Sequence, residues 1–286
     1  MESGDNGGMT KTLTMNTGAT IPVLGYGTYK IAPADAAAAV TMALDAGYRH
    51  IDTAQMYGNE AEVGEAIEAS SIDRGDIFLT TKLNNTNHLA KDARASFAQS
   101  LEDLRTDYVD LFLIHWPLPT LYDGDFLSTW KVLEEFYADG RAKAIGVSNF
   151  LPEHIDVLLE GSDVVPAINQ IEIHPYFTNE DSRAKNTEAG IINQAWSPLG
   201  RAAVLTDPAI EEIAERIGVT PAQVVLAWHL NRGDVVIPKS VTPSRVASNM
   251  DIFDVPLTEA DHERITALNR GEDGRQGSNP ATMDRL

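Results

Sequence analysis

An acid and a phenol stand five residues apart in Asp52-Thr-Ala-Gln-Met-Tyr57-Gly-Asn-Glu60, where a short apolar run gives way to a helix-like segment that Asn59-Glu60 could open. A phenol is a weak proton donor near neutral pH, since its ordinary pKa is about 10. A buried ammonium beside it favours the phenolate and makes the proton easier to release. An amine is available at Lys82, which ends the apolar run 77–82, and an imidazole at His115, which ends the run 108–115. Asp52, Tyr57, Lys82 and His115 therefore all fall at the ends of three successive strand-like runs, a candidate set for donating a proton to a reacting oxygen.

Such a set works only if one face of a scaffold gathers those strand ends. Strand-like runs fall at 24–26, 50–52, 77–82, 108–115, 142–147, 167–171, 191–196 and 235–238, and helix-like segments at 34–46, 60–69, 90–104, 126–138, 153–160, 179–188 and 208–217. Several strands are apolar throughout rather than alternating, as expected of parallel strands buried on both faces. Strand-then-helix units of this number and length predict an α/β fold, a (β/α)8 TIM barrel, whose active sites lie at the carboxyl ends of its strands. A doubly wound open sheet would call for a nucleotide fingerprint, and Gly25-Tyr-Gly-Thr-Tyr-Lys30 lacks the third glycine. Leu13-Thr-Met-Asn-Thr-Gly-Ala-Thr-Ile21 reads as an N-terminal β-hairpin capping the barrel's amino end. The polar stretch after Asn269 is expected to form a C-terminal loop over the active site. Residues 1–286 are read as one barrel domain, with 1–9 as a disordered tail.

Composition narrows the function. With 42 acidic and 22 basic residues the net charge is −20, and nothing resembles a basic patch that would neutralise nucleic-acid phosphates. The acidic balance fits either a well-solvated surface or adaptation to high salt, where screening suppresses repulsion among carboxylates. An excess of 14 arginines over 8 lysines agrees with the second. No run reaches the roughly 18 apolar residues of a membrane span. The absence of cysteine and of a signal-like start fits the cytoplasm. The histidines have neither the spacing nor the company of a metal site.

A second cluster concerns anion binding. Barrels commonly hold phosphate in the loops after the last two strands. Here Pro238-Lys-Ser-Val-Thr-Pro-Ser-Arg245 follows the eighth strand, with Thr242-Pro-Ser as a helix-start signal and Lys239 and Arg245 as cations in an otherwise acidic chain.

Taken together, Gly25-Tyr-Gly-Thr-Tyr-Lys30, the Asp52 to Glu60 segment, Lys82, Asp110-Leu-Phe-Leu-Ile-His-Trp-Pro117, Gly146-Val-Ser-Asn-Phe150, Asn169-Gln-Ile-Glu-Ile-His-Pro-Tyr176, Trp196-Ser-Pro-Leu-Gly200 and Ile237-Pro-Lys-Ser-Val-Thr-Pro-Ser-Arg245 occur in the order of the aldo-keto reductase family, which the chain resembles over essentially all of its length. The resemblance is to bacterial-type members similar to 2,5-diketogluconate reductases. It implies an NADPH-dependent oxidoreductase reducing aldehydes or ketones, with Tyr57 as general acid, Lys82 lowering its pKa, Asp52 holding Lys82, and His115 orienting the carbonyl. It implies that Ser148, Asn149 and Gln170 bind the nicotinamide carboxamide and that Trp196 stacks on the ring. Ser197 and Leu199 would line the pyrophosphate path. Lys239, Ser240, Val241, Thr242, Arg245 and Asn249 would hold the adenosine end, with Arg245 and Lys239 favouring NADPH over NADH. Ser248 stands where many relatives carry a glutamate that touches adenine, so that contact is in doubt. Tyr29, Met56, His115 and Trp116 are the expected substrate wall, and the protein is expected to be a monomer.

Two rival functions remain. A Schiff-base lyase would use Lys82 as a neutral nucleophile, which Asp52 opposes by keeping the amine charged. A non-enzymatic nicotinamide-binding accessory protein would have no need of the intact set of four.

Overall fold

The computed structural model describes residues 11–286, so the expected tail at 1–9 lies outside the described residues. The chain enters through a hairpin of β1 (Thr12–Thr14) and β2 (Thr20–Pro22), antiparallel with Leu13 opposite Ile21. Its turn closes with Met15 N–H on Ala19 O at 2.8 Å, and Gly18 takes the positive φ of 84° that the turn needs. Met15 and Ile21 pack against Phe78, Leu111, Ala144, Ala167 and Val235, near the starts of the barrel strands, so the hairpin plugs that end.

Eight parallel strands follow: β3 (Tyr26–Gly27), β4 (His50–Asp52), β5 (Phe78–Leu83), β6 (Leu111–Ile114), β7 (Ile145–Ser148), β8 (Ile168–Glu172), β9 (Ile192–Trp196) and β10 (Val235–Val236). Each pairs with its sequence neighbour. The first and last are joined by Val236 N–H on Val23 O at 2.9 Å and Gly25 N–H on Val236 O at 2.8 Å, which closes the (β/α)8 barrel. A Cβ at Gly25 would lie 2.7 Å from the His50 ring, so only glycine lets the chain pass there. Every residue of β5, β6 and β8 is buried, which explains the apolar run of β6 and leaves the polar residues of β5 and β8 in need of partners inside the barrel.

Helices α1 (Pro33–Asp45), α2 (Glu60–Ala69), α3 (Ala90–Asp103), α4 (Phe126–Ala138), α5 (Pro152–Gly161) and α6 (Glu180–Glu188) each follow one strand. Both α7 (Pro208–Ile217) and α8 (Pro221–Asn231) follow β9, and α9 (Pro243–Ser248) and α10 (Glu259–Thr266) follow β10. Starts are capped by side chains: Asp125 takes Ser128 N–H and Asp207 takes Ala209 N–H, both at 2.9 Å. Phe97, Phe112 and Phe136 pack α3, β6 and α4 together with centroids 4.3 to 6.0 Å apart, each ring contributing about 1.5–3 kcal/mol by burial. No helix among the described residues is long and apolar enough to cross a membrane.

Helix α9 begins at the start signal of Thr242-Pro-Ser, whereas α8 and α10 lie beyond the helix-like segments expected from the sequence. The α8 segment is buried along Gln223–His229, so its residues lack a polar face and show no helical period. Its start was nonetheless marked, since Thr220 and Gln223 form a reciprocal capping box behind a proline. Thr258 and Asp261 do the same for α10.

Candidate active site

Local backbone geometry delivers the acid and the phenol to one point. Asp52 is the last residue of β4; a 3-10 turn over Gln55–Tyr57 follows, closed by Tyr57 N–H on Ala54 O at 2.9 Å. Gly58 then takes a positive φ of 65°, which turns the chain into α2. Asn59 occupies the helix cap position, yet its side chain is used elsewhere: Nδ2 donates to Thr28 O and Ile31 O at 3.1 Å, and Oδ1 accepts from Thr53 at 2.9 Å. These bonds tie the loop after β3 to the loop after β4.

Lys82, on β5, is 0 % exposed. Its Nζ lies 2.5 Å from Asp52 Oδ1, 2.8 Å from Thr53 O and 3.3 Å from Tyr57 Oη. Three oxygens around one nitrogen match the three N–H donors of an ammonium. His115 directly follows β6, its ring 5.7 Å from that of Tyr57 and edge-on to it. The four sequence-identified side chains thus meet at the carboxyl ends of β4, β5 and β6.

Burial dominates the protonation states of these groups. Burial pushes Lys82 down from its ordinary value, and Asp52 opposes that. Burial drives His115 well below the ordinary imidazole range, with the Lys82 charge adding to the effect, so the ring is neutral. Tyr57 is held well above the ordinary phenol value by burial, by Asp52 and by Tyr29. Burial thus outweighs the pull of the Lys82 ammonium on the resting phenol. The ion pair is nearly neutral as a unit, so desolvation dominates, and the phenol rests with its proton on.

Beside this cluster runs a buried polar row. Ser148 Oγ donates to Gln170 O at 2.8 Å, and Asn149 Nδ2 donates to His115 O at 2.9 Å and to Ser148 Oγ at 3.1 Å. Trp196 Nε1 donates to Asn149 Oδ1 at 2.8 Å. Gln170 points its amide at Asp52 Oδ2, 2.7 Å away, and at Gln194 Oε1, 3.1 Å away. Four residues read from the sequence as one subsite are thus contiguous, and Gln170 additionally grips the acid.

The segment after β10 lies on the same face of the barrel. Tyr26 Oη donates to Ser240 O at 2.5 Å, and Thr242 N–H donates to Ser240 Oγ at 3.2 Å. Val241 is 53 % exposed, whereas Asn249 is buried. Lys239 and Arg245 are exposed, and among the described residues neither side chain has a carboxylate or hydrogen-bond partner. In a chain carrying −20, two cations left without an acid suit an anionic ligand. Ser197 and Leu199 lie in the loop between β9 and α7 and are half-buried.

The wall expected to meet a substrate is present. Tyr29 lies 5.1 Å from Tyr57, ring to ring, and is 51 % exposed, and Met56 is 39 % exposed beside it. Trp116 packs with Leu118 and Met283, which brings the C-terminal segment to the same place. That segment is strapped down by Glu172: its carboxylate accepts Gln276 N–H at 2.8 Å, Gly277 N–H at 2.9 Å and the His174 ring at 3.0 Å. These bonds outweigh burial and hold its pKa below the ordinary value. A Cβ on Gly277 would lie 2.4 Å from the Trp196 ring, so the strap presses on the indole. Farther along, Asn85 Nδ2 donates to Arg285 O at 2.7 Å.

Glu172, Gln194, Thr53 and Glu60 were not identified from the sequence. Polar residues inside barrel strands were the available signal for the first two. Glu60 is buried at the start of α2, accepting from Thr81 at 2.5 Å and Ser100 at 3.2 Å. Burial pushes it up to about 7, against an ordinary 4.5. A raised folded-state value gives stability that is full below the unfolded value and is lost as pH rises through the folded one. Glu60→Gln keeps an acceptor and removes the ionisation. Its stability relative to the parent should therefore improve from about pH 5 to about pH 8, by at most roughly 3 kcal/mol. Urea titrations showing a pH-independent difference would refute this.

The family model described as the aldo/keto reductase family matches residues 23–270. Morphine 6-dehydrogenase of Pseudomonas putida is 43% identical over 290 residues, covering 97% of both chains. Aldehyde reductase YPR1 of Saccharomyces cerevisiae is 43% identical over 287 residues, covering 91% of each. A mutant of Gox0644, solved in complex with NADPH, superposes with a TM-score of 0.91 at 41% identity, covering 96% of this chain and 99% of its own.

Proposed function

The chain belongs to the aldo/keto reductase family, and from that premise we propose that it reduces aldehydes and ketones to alcohols with NADPH, Tyr57 acting as general acid. The observation that carries this reading is the enclosure of Lys82 Nζ by Asp52 Oδ1, Thr53 O and Tyr57 Oη. When bound, NADPH supplies the hydride. The chain's own task is to hold the carbonyl and deliver the proton. Tyr57 Oη and the neutral His115 ring hydrogen-bond the carbonyl oxygen, and the Tyr57 proton moves to that oxygen as the carbon is reduced. The phenolate that forms lies against the Lys82 ammonium, which stabilises it, while Asp52 and Gln170 keep the ammonium in place. Lys82 thus lowers the cost of the phenolate, while burial keeps the phenol protonated at rest.

The residues fit NADPH. Ser148, Asn149 and Gln170 would bind the carboxamide, Trp196 would lie against the nicotinamide, and Ser197 and Leu199 would flank the pyrophosphate. Lys239 and Arg245 would take the 2′-phosphate and adenine, with Ser240, Val241, Thr242 and Asn249 around them. The fork of donors on Arg245 suits a phosphate, and its unpaired state leaves it available. Tyr29, Met56 and Trp116 favour carbonyl compounds with an apolar or aromatic part. The relatives named as acting on an aldehyde and on morphine, and the neighbour with NADPH, support the reading. A Schiff-base role for Lys82 is disfavoured, because its nitrogen is fully enclosed and charged. A purely accessory role leaves the assembled set of four without a purpose.

The test is loss of reduced-nicotinamide absorbance on a panel of aldehydes and ketones, with NADPH and NADH in parallel. Arg245→Ala should raise KM for NADPH by about tenfold or more, with little change for NADH. Equal losses for both would remove Arg245 from the 2′-phosphate. Repeating the melts from low salt to about 1 M KCl tests whether the acidic surface is suited to salt, in which case the protein loses stability as KCl is withdrawn.

A further inference from the structure

His229 on α8 and Asp234 just before β10 are fully buried and take no part in the chemistry above. The ring lies between two acceptors: Nδ1 is 3.0 Å from Asp234 Oδ2 and Nε2 is 3.1 Å from the carbonyl oxygen of Pro198. The other oxygen of Asp234 takes Nε and Nη2 of Arg183, from α6, at 3.1 and 2.9 Å. Arg183 and Arg232 share Glu180 in turn. One imidazole, anchored through Asp234 to α6, therefore reaches out to a single backbone carbonyl in the loop after β9.

That loop is strained. Ser197, Gly200, Arg201 and Ala202 have φ of 48°, 51°, 50° and 70°. Three of the four carry side chains, and each such residue in the left-handed region costs of order 1–3 kcal/mol. Such a run keeps its shape only where its surroundings over-determine it. Inside the loop, Gly200 N–H bonds Ser197 O and Ala202 N–H bonds Leu199 O, both at 2.8 Å. Two carbonyls of the loop are gripped from outside it: Gly200 O takes Gln276 Nε2 at 2.9 Å from the C-terminal strap, and the buried Pro198 O takes the His229 ring from the barrel wall.

We infer that His229, held by Asp234, is a positioning residue that fixes the loop 197–202 in the conformation that receives the pyrophosphate of NADPH. The inference rests on the cofactor reading above and adds to it the element that shapes the cradle. Loss of the ring frees the strained loop to relax, and each NADPH molecule must then reorder it on binding. The effect should fall on cofactor affinity rather than on the proton transfer, because neither His229 nor Pro198 touches Asp52, Tyr57, Lys82 or His115.

The experiment measures the Kd of NADPH by calorimetry on the full-length protein, with KM for NADPH, KM for an aldehyde and kcat on the same samples. His229→Leu is expected to raise both Kd and KM for NADPH by about tenfold, while kcat and the aldehyde KM stay within about twofold. His229→Gln, which can still donate one N–H to Pro198 O, should recover most of that loss. Asp234→Asn serves if His229→Leu does not fold, and should raise Kd severalfold without changing kcat. An unchanged Kd in a folded His229→Leu or Asp234→Asn protein would overturn the inference, as would a fall in kcat at constant Kd or failure of glutamine to rescue. A parent protein that binds no NADPH at all would instead bring down the cofactor reading and this inference with it.

Discussion

Phenylalanine in place of Tyr57 is expected to cut turnover by about 10²–10⁴, the range for a lost general acid. The substitution removes one oxygen and leaves the ring, its 5.1 Å contact with Tyr29 and its 5.7 Å contact with His115 undisturbed. Stability should change little, since the hydroxyl meets Lys82 at 3.3 Å, the longest of that amine's three bonds. Binding of NADPH should also persist, because no expected cofactor residue touches Tyr57 Oη. Steady-state turnover with one good aldehyde, beside a cofactor titration, reads both. Near-parental turnover would take Tyr57 out of the chemistry, and joint loss of turnover and cofactor binding would point to a structural role.

Lys82→Met should be the more damaging change, acting on the fold and the reaction together. The parent amine is 0 % exposed and neutralises Asp52, itself 1 % exposed. Methionine fills similar space but leaves Asp52 Oδ1 bare, with only Gln170 on Oδ2 at 2.7 Å. Removing one partner of a buried ion pair costs about 3–5 kcal/mol. Turnover should fall with it, because the phenolate formed at Tyr57 loses its counter-charge. Replacing both partners, as Asp52→Leu with Lys82→Met, should restore much of the stability and none of the activity. Urea midpoints for the single and double variants check this: a single variant within about 1 kcal/mol of the parent would mean that the pair carries far less electrostatic weight than its burial implies.

The barrel could be read from the sequence because parallel strands buried on both faces leave apolar runs, and three successive runs end in an ionisable residue at the mouth of the barrel. Asp52, Lys82 and His115 are such endings. Strand edges were less legible: residue 24 was expected inside the first strand, yet Leu24 makes only an isolated bridge to Val236 while the strand begins at Tyr26. Helix α8 was missed for a physical reason, since a helix buried nearly all round has no polar stripe to betray its period.

Site contacts that cross the barrel had no local signature. Gln170 and Asp52 are 118 positions apart, and Glu172 meets Gln276 across 104. Motif matching could name Gln170 but could not say that its amide faces the acid. How far burial would raise Tyr57 was not legible, because it depends on the packing of Tyr29 and Asp52 around the hydroxyl.

The two ends of the molecule are not equivalent as points of attachment. The hairpin seals one end of the barrel with Met15 and Ile21, while the last residues lean on Asn85 and Trp116 at the other. A surface tether or fused domain joined ahead of Thr12 would therefore hang from the blind side and leave the entrance clear. The same cargo appended behind Leu286 would crowd the doorway and tug on the strap that Glu172 fastens, so immobilised preparations should keep their throughput only when anchored from the front of the chain.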